Sequence, residues 1–301
     1  MESRRNKKMK IIIDSTCQLE PQLIKELNLG FLDYPIFLNG KEYQHQWDAP
    51  NVLEEKSKFI ELLREKNNKA GTSGISKKDF IDCFEQYKDQ EILLIIQSLN
   101  NTKATASALE KVLNEHPEFD VKVFDTEILA SGVGAQGLAL LRDLRTKKMS
   151  RDECYAVLEK NRKNAYVVGL LYDLFYVHRS GRLGLAKAVM ATAMHLYPLL
   201  SSAPQSGMLK TTGKVRNYKQ ANSRFLDEIK KQMDIHNSKK LTVNMAYTND
   251  HDKECRHMEQ LLMKTAEDLN YDIEVHINYS NFSLLPHMGP DFYEMGYVIH
   301  T

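Results

Sequence analysis

Short, continuously apolar segments alternate with amphipathic ones through the first half of the chain, and this alternation limits the possible folds more than any other feature. Residues 10–14, 92–96 and 121–125 read as strands buried on both faces. Residues 19–27 read as a helix, with Pro21 in its first turn and Gly30 just past its end. Residues 31–38 read as a further strand, and Asn39-Gly40 as a turn into a short strand at 41–43. Amphipathic periodicity predicts helices over 52–64, 77–87, 102–113 and 132–145. Ser150 then caps another helix that runs to about Arg162. Such alternation predicts an α/β fold in which a mostly parallel sheet is covered by helices on both faces, a three-layer α/β/α domain over residues 8–164. A second domain, 165–301, opens on a strand at 166–171. Helices are expected around 173–178 and 185–195, and a hairpin about Gln205-Ser206-Gly207 follows the segment 198–202. Beyond it come a helix at 218–236, a strand at 241–247, a helix at 253–269 and a strand at 272–277. This mixture predicts a mixed α/β sheet. No low-complexity linker and no internal repeat is visible.

Composition excludes several classes of partner. Among 301 residues, 41 basic and 40 acidic side chains leave a formal charge of +1, so no global field favours nucleic acid or an anionic membrane. No run approaches the roughly 20 apolar residues of a membrane helix, which argues against integral membrane association. Cys17, Cys83, Cys154 and Cys255 are scattered without a C-x-x-C pair and suit free thiols in a reducing, cytoplasmic setting. The basic N-terminal residues read as a solvated tail.

Several patterns invite a catalytic reading. Gly132-Val133-Gly134-Ala135-Gln136-Gly137 is a literal G-x-G-x-x-G, which would suit a nucleotide-dependent oxidoreductase. However, seven residues separate it from Phe124, the end of the preceding apolar run, and the acidic residues about 20 positions on open a helix. The pattern therefore reads as small residues packing a helix closely. Asp250-His251-Asp252 with Glu254, Cys255 and His257 resembles a ligand cluster but reads as an acidic, solvated helix start, and no metal or cofactor is expected. A serine hydrolase would need a nucleophile elbow, which is absent, although Ser73 and His287 leave that rival open. What remains is a set of hydroxyls and helix starts at the ends of parallel strands, at 14–16, 71–76, Ser98 and Thr102. There they either cap helices or bind one small anion.

Five landmarks in order resemble the DegV family. They are residues 11–19 (IIIDSTCQL); Gly71-Thr72-Ser73-Gly74-Ile75-Ser76 with Asp79-Phe80; Ser180-Gly181-Arg182-Leu183-Gly184; Gly213-Lys214-Val215-Arg216; and His287-Met288-Gly289-Pro290. The resemblance implies a long-chain fatty acid of the palmitate or oleate class in a tunnel between the two domains. It also implies presentation of the carboxylate to a separate fatty acid kinase, with no catalysis by this chain. Carboxylate ligands would be Thr72, Ser73, Thr102 and Ser98. Arg216, His287 and Lys103 would sit at the mouth, with Arg216 toward the partner. The family's Ser-Gly-Thr-Tyr aligns with Thr102-Lys103-Ala104-Thr105, so Lys103 stands where glycine is expected. It either crowds the head group or pairs with it.

For such a ligand the tail dominates affinity, at about 0.8 kcal/mol per buried methylene, and hydroxyls fix which end faces out. Leu170, Leu171, Leu174, Phe175, Met190, Met194 and Leu196 are the candidate tunnel lining, with methionine suited to a flexible chain.

Overall fold

A computed structural model describes residues 8–180, 196–202 and 209–301. The expected helix at 185–195 with Met190 and Met194, the turn at 181–184 and the hairpin at 205–207 lie outside the described residues. The first half runs β1 (Met9–Asp14), a 3-10 turn Ser15–Cys17, α1 (Pro21–Glu26), β2 (Gly30–Leu32), β3 (Ile36–Leu38), β4 (Lys41–Glu42) and α2 (Val52–Arg64). It continues through β5 (Ala70–Thr72), α3 (Lys77–Glu85), β6 (Glu91–Ile96), α4 (Lys103–Glu115), β7 (Val121–Asp125), α5 (Ser131–Leu144) and α6 (Arg151–Arg162). The second half contains β8 (Ala165–Leu171), α7 (Phe175–Arg179), β9 (Tyr197–Ser202), β10 (Lys210–Val215), α8 (Tyr218–Ile235) and β11 (Lys240–Tyr247). It ends with α9 (Asp252–Leu269), β12 (Asp272–Tyr279), α10 (Leu285–Met288) and β13 (Phe292–Ile299).

The chain is α/β, as its alternation predicts. Strands β2-β1-β6-β7 form a wholly parallel sheet. Its side chains divide by parity: Ile11, Ile13, Leu93 and Ile95 pack in the core that holds residues of α1, α5 and α6, whereas Ile12, Ile92, Leu94 and Ile96 pack with residues of α3 and α4. Helices therefore cover both faces. The second sheet, β10-β9-β8-β13-β11-β12, is mixed; only β11 and β12 run parallel. One face carries Leu241, Val243, Met245, Tyr293 and Tyr297 in a common core with residues of α8 and α9.

The expected strand 31–38 is two strands in different sheets. β2 pairs with β1, and β3 joins a small antiparallel sheet β4-β3-β5. Asp33-Tyr34-Pro35 makes the transfer, and Pro35 offers no amide to continue a ladder.

Helix α5 lies between the two large sheets, packed on β8, β11 and β13 on one side and on the Ser15–Cys17 turn and β6 on the other. Residues 131–140 are all buried. A Cβ on Gly134 would lie 2.1 Å from the carbonyl oxygen of Cys17 and 2.4 Å from Asn244 Nδ2. One on Gly296 would lie 2.2 Å from the carbonyl carbon of Ser131. The glycine pattern is thus a packing device for close approach on two sides, with no strand-to-helix turn for a pyrophosphate. Hydrogen bonds continue the seam. Asn244 Nδ2 donates to Cys17 O (2.9 Å) and Ser131 O (3.1 Å), Asn281 Nδ2 to Ser15 O (3.1 Å), and the amide of Asn281 to Gln18 Oε1 (2.8 Å).

Candidate functional site

Between these sheets, at the carboxyl ends of β1 and β6, lies a cavity of about 230 Å³. This is where an open parallel sheet leaves helix starts and loop amides converging. Thr16, Tyr34, Thr72, Ser73, Gln97, Thr102, Lys103, Ser283 and His287 supply polar groups to its wall. Leu129, Ala130, Leu209, Leu284 and Met288 supply apolar surface.

Each polar wall residue is placed by a specific local device. Thr72 ends β5, where it pairs with Ile36, and the Ser73 amide then donates to Pro35 O (3.1 Å). Gly74 lets this loop lie on the start of α4, because a Cβ there would be 2.8 Å from that of Ala104. Thr72 Oγ1 and His287 Nε2 are 2.9 Å apart, so α10 and β5 meet at the cavity. Thr102 is the N-cap of α4 but makes no capping bond; its hydroxyl donates instead to Ser98 O (3.2 Å). Amides of the first turn of α4 are thus left without a side-chain cap, beside the exposed Lys103. An anion placed here would meet a helix N-terminus, a hydroxyl and an ammonium together. Ser76, by contrast, forms a capping box with Asp79 and gives its hydroxyl to α3.

Two buried carboxyls support the cavity wall, one from beneath it and one within it. Asp14 accepts from the amides of Thr16 (2.7 Å) and Gln97 (2.6 Å) and from the Thr16 hydroxyl, tying the ends of β1 and β6 together beneath the wall. Burial pushes its pKa up to about 6 against these donors. Glu294 of β13 lies in the wall itself and accepts from the amide of Ser131 (2.9 Å), so it caps α5 from a neighbouring strand; burial pushes it up to about 7. Ala130, the N-cap residue of α5, is held at φ 55 and ψ −140, a region costly for any residue with a Cβ.

Thr72, Ser73, Thr102, Lys103 and His287 are therefore brought together. Ser98 is not among the lining residues. It is buried at the turn before α4, where its carbonyl serves Thr102. Arg216 does not line the cavity either; it is exposed between β10 and α8. Leu170 points to the far face of the mixed sheet and packs among residues of α8 and α9, since alternate residues of β8 face opposite ways. Leu171 and Leu174 pack instead with Leu209, Leu284 and Met288 of the cavity wall. Phe175 is 40% exposed, and Leu196 is half-buried outside the wall.

The acidic segment at 250–254 opens α9, as expected, and Asp250 and Asp252 are exposed, but His251 and Glu254 are drawn out of solvent. His251 stacks on Tyr172 with ring centres 4.4 Å apart, bonds Glu254 (3.1 Å) and lies 3.5 Å from Asp291, which Arg64 holds with its two terminal guanidinium nitrogens. Glu294, Tyr34 and Gln97 escaped the sequence reading. An isolated acid within the apolar run 292–299 was the signal for the first.

A family model described as DegV, an uncharacterised protein family, matches residues 8–298. A DegV domain-containing protein of Clostridium perfringens is 25% identical over 250 residues, 81% of this chain and 82% of the relative. Among solved structures, a DegV family protein of Thermus thermophilus described by its fatty acid binding superposes with a TM-score of 0.79 at 22% identity. The match covers 97% of this chain and 99% of that one. A stearic-acid-binding protein of Eubacterium ventriosum gives a TM-score of 0.78 at 16% identity, over 97% and 98%. With a family model spanning nearly all its length, this chain belongs to the DegV family.

Proposed function

We propose that this protein binds a long-chain fatty acid in the cavity between its sheets and presents the carboxylate, as a carrier without chemistry of its own. The observation that carries the reading is the cavity's polarity. Thr72, Ser73, Thr102, Lys103 and the start of α4 gather on its wall beside the Thr72–His287 contact, together with the apolar Leu129, Leu209, Leu284 and Met288. The fatty-acid-binding descriptions of the structural neighbours support the same ligand class. Lys103, exposed at the cavity, suits pairing with the acid better than crowding it. Hydroxyl and amide donors, unlike a buried arginine clamp, leave one carboxylate oxygen open to a phosphorylating partner. A fatty acid kinase in the cytoplasm is the partner we favour, with exposed Arg216 available to it.

Purified protein is expected to release fatty acid on denaturation, read by mass spectrometry. Stripped protein should take up palmitate or oleate and, with a fatty acid kinase and ATP, support acyl phosphate formation. Recovery of no lipid, together with no uptake, would overturn the reading. Lipid binding without acyl phosphate would remove only the kinase step.

A further inference from the structure

We infer that Tyr34 is a head-group donor. Its hydroxyl, which has no partner within the protein, bonds the acid at the start of α4 and sets a preference for an ionised head over a neutral one. The inference rests on the acid-binding reading above and deepens it by naming a specificity-determining residue of the same site.

Tyr34 lines the cavity and is 3% exposed. Its amide donates to Ser15 Oγ (3.1 Å), and its ring packs in the core that holds Ile75, Phe80, Leu94 and Ile96. A ring held at both ends cannot swing its hydroxyl out to water. Gln97, Thr105 and Thr102 are the polar side chains beside that hydroxyl, yet none meets it in hydrogen-bonding geometry, and its oxygen is buried without a partner. The Thr102 hydroxyl is turned to Ser98 O, and the Thr105 hydroxyl receives the Ile75 amide. A buried hydroxyl left unmet carries a cost that nothing within the chain returns. Thr102 fixes which end of the cavity this is. It is the N-cap of α4, whose first-turn amides have no side-chain cap, and Lys103 follows it in the wall. The phenol therefore stands where an anion would meet the helix start and the ammonium, at the head-group end and not along the tail. Burial holds its pKa well above the usual phenol range, so it remains a donor at neutral pH. Such a donor gains more from a charged acceptor than from a neutral one.

The test compares the full chain, stripped of lipid, with Tyr34→Phe, which removes one oxygen and keeps the packed ring. Two quantities are read: the melting temperature of each stripped protein, and the affinity of each for palmitate and for hexadecanol, by competition against a fluorescent fatty acid. A ligand donor and a structural donor predict opposite results in the stripped protein. Loss of an unmet hydroxyl relieves a cost, so stripped Tyr34→Phe should melt no lower than the wild type; loss of a hydroxyl bonded inside the chain would lower its melting temperature. Palmitate should bind Tyr34→Phe about tenfold more weakly, and the preference for palmitate over hexadecanol should fall about fivefold, since a bond to a charged oxygen is the stronger one. A lower melting temperature of the stripped variant overturns the inference. So does unchanged palmitate affinity, and so does an equal loss for acid and alcohol, which would make Tyr34 a packing residue of the wall. Failure of the wild type to take up palmitate overturns the carrier reading itself, an outcome distinct from palmitate binding that ignores Tyr34.

Discussion

Thr72 and His287 are 215 positions apart in sequence, and their contact at 2.9 Å closes the cavity wall between β5 and α10. On the carrier reading, the hydroxyls of Thr72 and Thr102 turn from His287 and Ser98 O to donate to a charged head, and Thr72→Ala combined with Thr102→Ala removes both. Affinity for palmitate should fall by about tenfold or more, measured by titration calorimetry. Unchanged affinity would place the head group elsewhere. A second residue-scale expectation concerns His251. Asp291 and Glu254 raise it to about 9, despite burial that acts the other way. A folded-state pKa above the ordinary 6.5 contributes stability that is full below that pH and is lost as pH rises through about 9. Urea unfolding should therefore show stability falling by on the order of 2 kcal/mol between these limits. His251→Gln should flatten the slope whatever it does to the absolute value, and an unaltered slope would refute the assignment.

Among elements, α5 is the most constrained. Gly134→Ala would drive a methyl into the Cys17 carbonyl and Asn244, both fixed by hydrogen bonds, so destabilisation of about 3 kcal/mol or more is expected. Gly137→Ala meets only the tip of Ile13, 3.0 Å away, and gains helix propensity, so its melting temperature should stay near the wild type's. Equal effects of the two changes would contradict the close approach described. The helix itself was legible, because its small residues and apolar run fit a buried segment; what it packs on was not, since Gly134 records no partner. β13 shows the opposite failure. Residues 292–299 are buried throughout and sit at the centre of the mixed sheet, yet Glu294 and Gly296 interrupt the apolar run and hide the strand. Both interruptions face α5, one capping it and one making room for it.

At the scale of the whole molecule, the parallel sheet and its two helical layers followed from periodicity, and the DegV landmarks pointed to the wall residues at 72–73, 102–103 and 287. Parity defeated the apolar lining. Leu170 and Leu171 are adjacent and equally hydrophobic, but pleating sends them to different cores, and sequence alone does not say which core borders a cavity. The four cysteines offer a global check. All are free and buried, and burial pushes Cys83 up to about 12 and Cys154 up to about 11. Native protein should react with a thiol reagent at the rate of unfolding, with all four sites labelled together in denaturant. Rapid native labelling of Cys17 or Cys255 would show local opening of the core.

For a protein that carries a ligand between its sheets, as proposed above, the seam along α5 would also limit how that ligand comes and goes. Halves joined through Gly134, Asn244 and Asn281 cannot swing apart like a clamshell without breaking contacts that hold both sheets to one helix. On the carrier reading, exchange would pass over the rim between β5, the start of α4 and α10, which the described residues place at the cavity. On that reading, a docked partner that displaced the Thr72–His287 contact would widen the opening at this rim.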